Sequence, residues 1–246
     1  MGRIGISHVL SIVKSCQLHS MFSLLKQLFR RGAAITGTAE KPIMKILHID
    51  SSILGGYSVS RALTADIVAK QLARNPGAKV IRRDLATDGA LHLSGAHLAA
   101  FQGGEVTQPG LGEDIAAGSA FIDDLFEADV IVIGAPMYNF SVPSQLKAWI
   151  DRVCVAGRTF QYGANGPEGL LPGGKKVFIA STRGGVYTGD SPAAALEHHE
   201  SYLRGVLAFI GLTDVTVIRA EGLNLGDEPK AAAIAQAKAE IEALAA

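Results

Sequence analysis

Residues 135–140 read Ala-Pro-Met-Tyr-Asn-Phe and directly follow the apolar run Val130-Ile131-Val132-Ile133. A continuous β-branched run marks a strand buried on both faces, as in a parallel sheet. Ligands of such sheets bind just beyond the carboxyl ends of the strands. Here that place holds a proline, a soft thioether, aromatics and an amide, followed by Ser141-Val142-Pro143-Ser144 and a helix. Met137, Tyr138 and Phe140 would cover a flat heteroaromatic ring, while backbone amides and the Asn139 side chain would hydrogen-bond its polar edge. A flavin is the first candidate. The competing reading makes Met137 and Phe140 core residues and Tyr138 a surface aromatic.

Two further loops have suitable chemistry. Ser51-Ser52-Ile53-Leu54-Gly55-Gly56-Tyr57-Ser58-Val59-Ser60 places hydroxyls at Ser52, Ser58 and Ser60 ahead of a helix. Free N–H groups and the positive dipole end at a helix N-terminus make an anion site without any lysine. The loop lacks both Gly-x-Gly-x-x-Gly and Gly-Lys-Ser/Thr, so a terminal phosphate monoester fits it better than a pyrophosphate. The simpler alternative is that Ser58 or Ser60 merely caps the helix. The third loop, Ser181-Thr182-Arg183-Gly184-Gly185-Val186-Tyr187, has glycines that let backbone approach a ring. Its N–H groups can stabilise negative charge on a reduced flavin. The alternative there is an ordinary glycine turn.

These loops need a frame in which they meet. The chain has 246 residues, is 48% hydrophobic and contains 28 Gly, enough for one large α/β domain. Strands are predicted at 45–50, 79–84, 129–135, 176–180 and 215–219. Helices are predicted at 60–74, 113–127, 144–155, 192–210 and 228–244, with 85–111 irregular and 156–174 a Gly- and aromatic-rich loop. This alternation specifies a doubly wound, five-stranded parallel sheet with helices on both faces. Pattern alone does not separate the two common strand orders, but five strands suit the flavodoxin-like order better than the six-stranded dinucleotide fold. In that topology the three loops follow strands one, three and four and converge on one crevice.

Charge and cysteine use exclude other classes. Formal net charge is zero, with the six basic residues of 1–43 facing Glu40 alone. The body carries no basic stripe with interleaved aromatics, so nucleic acid is not an expected partner. Val9–Val13 and Met21–Phe29 fall short of the roughly 20 apolar residues that span a bilayer, and no membrane partner is expected. Cys16 and Cys154 form neither a metal motif nor a disulfide framework. His198-His199, expected on a helix, would point about 100° apart and make no chelate, so no metal site is expected. Residues 1–43 are read as an N-terminal extension, disordered or a misassigned start, since Met44 opens into the first strand.

Taken together, residues 44–246 resemble the FMN-dependent NADH:quinone oxidoreductases, also called FMN-dependent NADH-azoreductases. The resemblance lies in Ser-Ser-Ile-Leu-x-Gly-Tyr-Ser-x-Ser at 51–60, Ala-Pro-Met-Tyr-Asn-Phe at 135–140 and Asn-Gly-Pro-Glu-Gly-Leu at 165–170. Thr182-Arg183-Gly184-Gly185, Phe209-Ile210-Gly211-Leu212-Thr213-Asp214 and Ala220-Glu221-Gly222 add to it. It implies a flavodoxin-like domain that binds FMN, with Ser52, Ser58, Val59 and Ser60 on the phosphate. Met137, Tyr138, Asn139, Phe140, Thr182, Arg183, Gly184 and Gly185 would hold the flavin, and Asn139, Gly184 and Gly185 would tune it. It further implies a cytoplasmic homodimer with the site at the subunit interface, where Phe160, Tyr162 and Tyr187 face substrate. The implied chemistry is ping-pong transfer from NADH through FMN to quinones or azo compounds, with no protein nucleophile. The rival is a flavodoxin-type electron carrier that turns over no substrate. A hydrolase finds no Gly-x-Ser-x-Gly elbow here.

Overall fold

The computed structural model describes residues 43–244. The expected extension over 1–43 thus lies outside the described residues, apart from Ile43. In chain order the described elements are β1 (Lys45–Asp50), α1 (Val59–Arg74), β2 (Lys79–Asp84), α2 (Gly95–Phe101) and α3 (Leu111–Glu127). β3 (Val130–Pro136), α4 (Ser144–Val153), β4 (Phe160–Gly163) and β5 (Gly166–Gly169) follow. β6 (Lys176–Thr182), α5 (Glu200–Phe209), β7 (Asp214–Ala220) and α6 (Asp227–Ala243) complete the fold.

Five parallel strands lie in the order β2-β1-β3-β6-β7. This is the flavodoxin-like order, and the chain reverses direction across the sheet between β1 and β3, where their carboxyl ends open a crevice. Every residue of β3 is buried, as its unbroken apolar run requires. Alternate residues feed two separate cores. Leu47, Ile49, Ile131 and Ile133 pack with Phe121 and Leu125 of α3 and with Leu146 and Trp149 of α4. Ile46, Val130 and Val132 pack on the other face with Leu63 and Ile67 of α1 and with Ala237 and Ile241 of α6. The sheet is thereby a rigid plate whose upper edge carries the three loops.

Three predicted segments differ. The stretch 85–111 is not wholly irregular, because Ser94 and His97 form a capping box that starts α2. His97 also meets Asp114 at 2.9 Å, and Arg152 meets the same carboxylate at 2.8 Å, partners remote in sequence that pin the segment down. The 156–174 loop contains the antiparallel hairpin β4–β5, with Phe160 opposite Gly169. The long helix expected over 192–210 is broken. A short 3₁₀ turn spans Ala194–Leu196, and α5 begins only at Glu200. The Glu197 carboxylate accepts the N–H groups of His199 at 2.9 Å and Glu200 at 2.6 Å, so it acts as a cap inside the predicted helix. His198 and His199 therefore precede α5 rather than lying on it. Among the described residues, no helix is long and apolar enough to cross a membrane.

Candidate functional site

A cleft of about 260 Å³ opens at the carboxyl edge of the sheet. The first loop contributes Ser52, Ser58 and Val59, the second Met137 and Tyr138, and the third Thr182, Arg183 and Gly184. Segments that are far apart in sequence thus form one wall-to-wall site, because β1, β3 and β6 are adjacent strands. Ser60, Asn139, Phe140, Gly185 and Tyr187 adjoin these residues without lining the cleft.

The serine loop is built locally. Ser58 caps α1, its Oγ accepting the Arg61 N–H at 3.3 Å, and it lies 3.0 Å from the Ser60 hydroxyl. The capping alternative is therefore realised, yet it leaves the first-turn N–H groups of Val59 and Ser60 without intrahelical acceptors. Ser52 is fully buried, and its Oγ is 3.3 Å from the Tyr138 hydroxyl, which links the first loop to the second. Arg61 fastens the loop from behind. Its guanidinium donates to the Ser52 carbonyl at 2.8 Å and forks onto both Asp84 oxygens at 2.6 Å. The hydrogen bond from Arg61 holds the Asp84 carboxyl below its usual range.

The second loop is a tight turn. Tyr138 N donates to Ser141 O at 3.0 Å, and Ser141 N donates back at 3.1 Å. Between them Asn139 and Phe140 have φ of 48° and 71°. Two successive positive φ values match a type I′ turn, where Asn is favoured first and Gly second. Phe140 occupies the glycine position at a cost of about 1 kcal/mol. The turn is held by His198 N donating to Phe140 O at 3.1 Å and by Ser141 Oγ donating to His198 O at 3.2 Å. The half-exposed Phe140 ring stands edge-on to Tyr187, with centroids 6.1 Å apart.

The third loop rests on buried charge. The carbonyls of Arg183, Gly184 and Gly185 accept N–H groups from Leu223, Asn224 and Gly222 at 2.9–3.1 Å. In planar trans peptides this turns the N–H groups of Gly184, Gly185 and Val186 to the opposite side. A Cβ at Gly184 would stand 2.5 Å from Asn224 Nδ2, so a side chain there would displace a cleft residue. Arg183 is 1% exposed, and its guanidinium is ion-paired with Glu221 at 2.9 Å, with Glu200, and with Glu197 at 3.6 Å. It is committed to the interior, so only the remainder of Arg183 is available to a ligand. Burial alone would raise the Glu200 carboxyl, but hydrogen bonds from Arg219 and Ser181 and the charges of Arg183 and Arg219 bring it to about 2. Beside them His199 is fully buried, and burial with the Arg183 charge lowers it to about 4.

Phe160 and Tyr162 lie elsewhere. Phe160 is buried against Phe209, centroids 4.4 Å apart, while Tyr162 is 76% exposed on the hairpin. The hairpin packs by the carboxyl end of α5, where Gly169 sits against Gly211, at the edge where β7 begins. That edge is opposite the cleft. Leu54, Tyr57 and Pro136, which lie in the loops read from sequence but carry no assigned role there, complete the cleft together with three residues the sequence reading missed, Leu223, Asn224 and Lys230. The last three follow β7, and the strand-end rule that exposed the other loops points equally to this one.

The donor set fits a flavin mononucleotide. Hydroxyls and free N–H groups stand at one end, apolar and aromatic surface in the middle, and outward N–H groups with a glycine gap at the other. The comparisons agree. A family described by a flavodoxin-like fold matches residues 44–245. An FMN-dependent NADH:quinone oxidoreductase of Sinorhizobium fredii is 56% identical over 195 residues, covering 79% of this chain and 94% of that protein. One from Azospirillum brasilense is 54% identical over 204 residues, covering 82% and 98%. An FMN-dependent NADH-azoreductase from Bacillus anthracis, solved in complex with FMN, superposes with a TM-score of 0.73 at 25% identity. It covers 81% of this chain and 96% of that one.

Proposed function

Because this chain belongs to the FMN-dependent NADH:quinone oxidoreductase family, with its flavodoxin-like fold, we propose that it reduces quinones and azo compounds with electrons from NADH. The convergence of the three loops on one cleft carries this reading. Bound FMN would supply the redox chemistry, a two-electron transfer from NADH to the second substrate. The chain's own residues bind, orient and polarise. Ser52, Ser58 and the first-turn N–H groups of α1 take the phosphate. Met137, Tyr138 and Phe140 shield the ring from water, and Asn139 hydrogen-bonds its edge. The N–H groups of Gly184 and Gly185 favour the negatively charged form. The one site serves donor and acceptor in turn, which is a ping-pong sequence.

The active unit in this reading is a homodimer. Tyr162 is exposed on a hairpin at the far edge of the sheet, so it reaches a flavin only in a second subunit. Phe160 supports that hairpin from beneath, and Tyr187 beside Phe140 borders the substrate. The cytoplasm, which supplies NADH, is the compartment this reading assigns.

Anaerobic titration of the purified full chain tests it. Flavin absorbance that bleaches with NADH and recovers with a quinone is expected. Bands that never bleach with NADH would turn the reading toward an electron carrier, and a protein that takes up no FMN would end it. Asn139→Ala is expected to lower flavin stoichiometry after gel filtration, and unchanged stoichiometry would remove Asn139 from the site.

A further inference from the structure

Resting on the flavin reading, one cation of the cleft has no assigned work. A phosphate monoester is close to a dianion at neutral pH, and the serine loop offers it hydroxyls, N–H groups and a helix dipole but no full positive charge. Arg61 is committed to Asp84 and the Ser52 carbonyl. Arg183 is committed to its carboxylates. Lys230 lines the same cleft, is exposed, and has no ion pair among the described residues.

The packing of α1 against α6 places this lysine. Both helices cover one face of the sheet and run in the same direction away from its carboxyl edge. Two ion pairs define their register, Asp66 with Lys238 at 3.6 Å and Lys70 with Glu242. The partners advance four residues together, about one turn on each helix. Carried two turns back toward the cleft, the same register sets Lys230 beside Ser58. Asp227 and Glu228 share the first turn of α6 and would repel an anion, so the cation is needed to reverse the local field.

We propose that Lys230 is a further phosphate-binding residue, supplying the counter-charge for the flavin mononucleotide held by the serine loop. It reaches the site from the opposite end of the chain. The test is fluorescence-quenching titration of the flavin-free full chain with FMN and with riboflavin, which lacks the phosphate. Lys230→Gln is expected to weaken FMN about fivefold, the scale of one solvated ion pair, and to reduce the salt dependence of binding. Riboflavin affinity is expected to stay the same, and Lys230→Arg is expected to restore FMN affinity. Unchanged FMN affinity in Lys230→Gln, or an equal loss for riboflavin, overturns the assignment. Wild-type protein that binds no FMN overturns the flavin reading itself, and this assignment with it.

Discussion

The two ends of the cleft are built on opposite principles. At the serine end the hydroxyls and N–H groups come from one short stretch between Ser52 and Ser60, and one partly exposed arginine, Arg61, ties it to a neighbouring strand. At the glycine end the loop is shaped by its backbone, while the buried Arg183 and its three carboxylates hold it from beneath. A site whose donors are local to a helix start needs little support. A site that must present bare N–H groups in a set direction needs its carbonyls and flanks fixed by other parts of the chain. Stability should therefore concentrate at the glycine end and affinity for phosphate at the serine end.

Four changes break or sharpen that contrast. Arg183→Met leaves Glu197, Glu200 and Glu221 facing one another with Arg219, paired to Glu200, as the one other cation in their ion pairs among the described residues, and should cost about 4 kcal/mol in urea unfolding. Arg61→Met should cost about 2 kcal/mol in stability, while weakening FMN about tenfold in the same fluorescence titration. Equal stability losses for the two arginines would erase the distinction.

Acid should act mainly at the glycine end. His199 falls from 6.5 to about 4 on folding, and Glu200 from 4.5 to about 2. In both cases the unfolded chain binds more protons, so stability rises with pH across those windows. The His199 contribution is lost as pH falls from 6.5 toward 4, and that of Glu200 as pH falls from 4.5 toward 2. Melting temperatures measured through this range should decline, and His199→Leu should flatten the upper part of the decline. The smallest effect is expected from Phe140→Gly. Relief of the positive φ should leave stability unchanged or raise it by up to about 1 kcal/mol, while quinone turnover falls because the ring is gone.

The same contrast separates what was legible in the chain from what was not. The doubly wound class, the five parallel strands and the residues of the serine loop follow from local patterns, because β-branched runs, turn residues and a capping serine act within a few positions; the strand order β2-β1-β3-β6-β7 is set by long-range pairing. The hairpin β4–β5 lies in a stretch that reads as a loop, because its strands are four residues each and are interrupted by Gly163, Gly166 and Gly169. The break before α5 escaped because Glu197 caps from within a helix-like composition. Arg183 could be placed at the site by its motif, but not the direction of its guanidinium.

The sequence by itself determined the alternation of strands and helices, and with it the three strand ends where a ligand could bind. Tertiary structure decided which charges are spent and which are free. It buried Arg183 among carboxylates, turned Arg61 onto Asp84, and set α6 against α1 so that Lys230 lines the same cleft as Ser58. Periodicity is a property of neighbours along the chain, whereas the pairing of a charge depends on which helices and loops the sheet brings side by side.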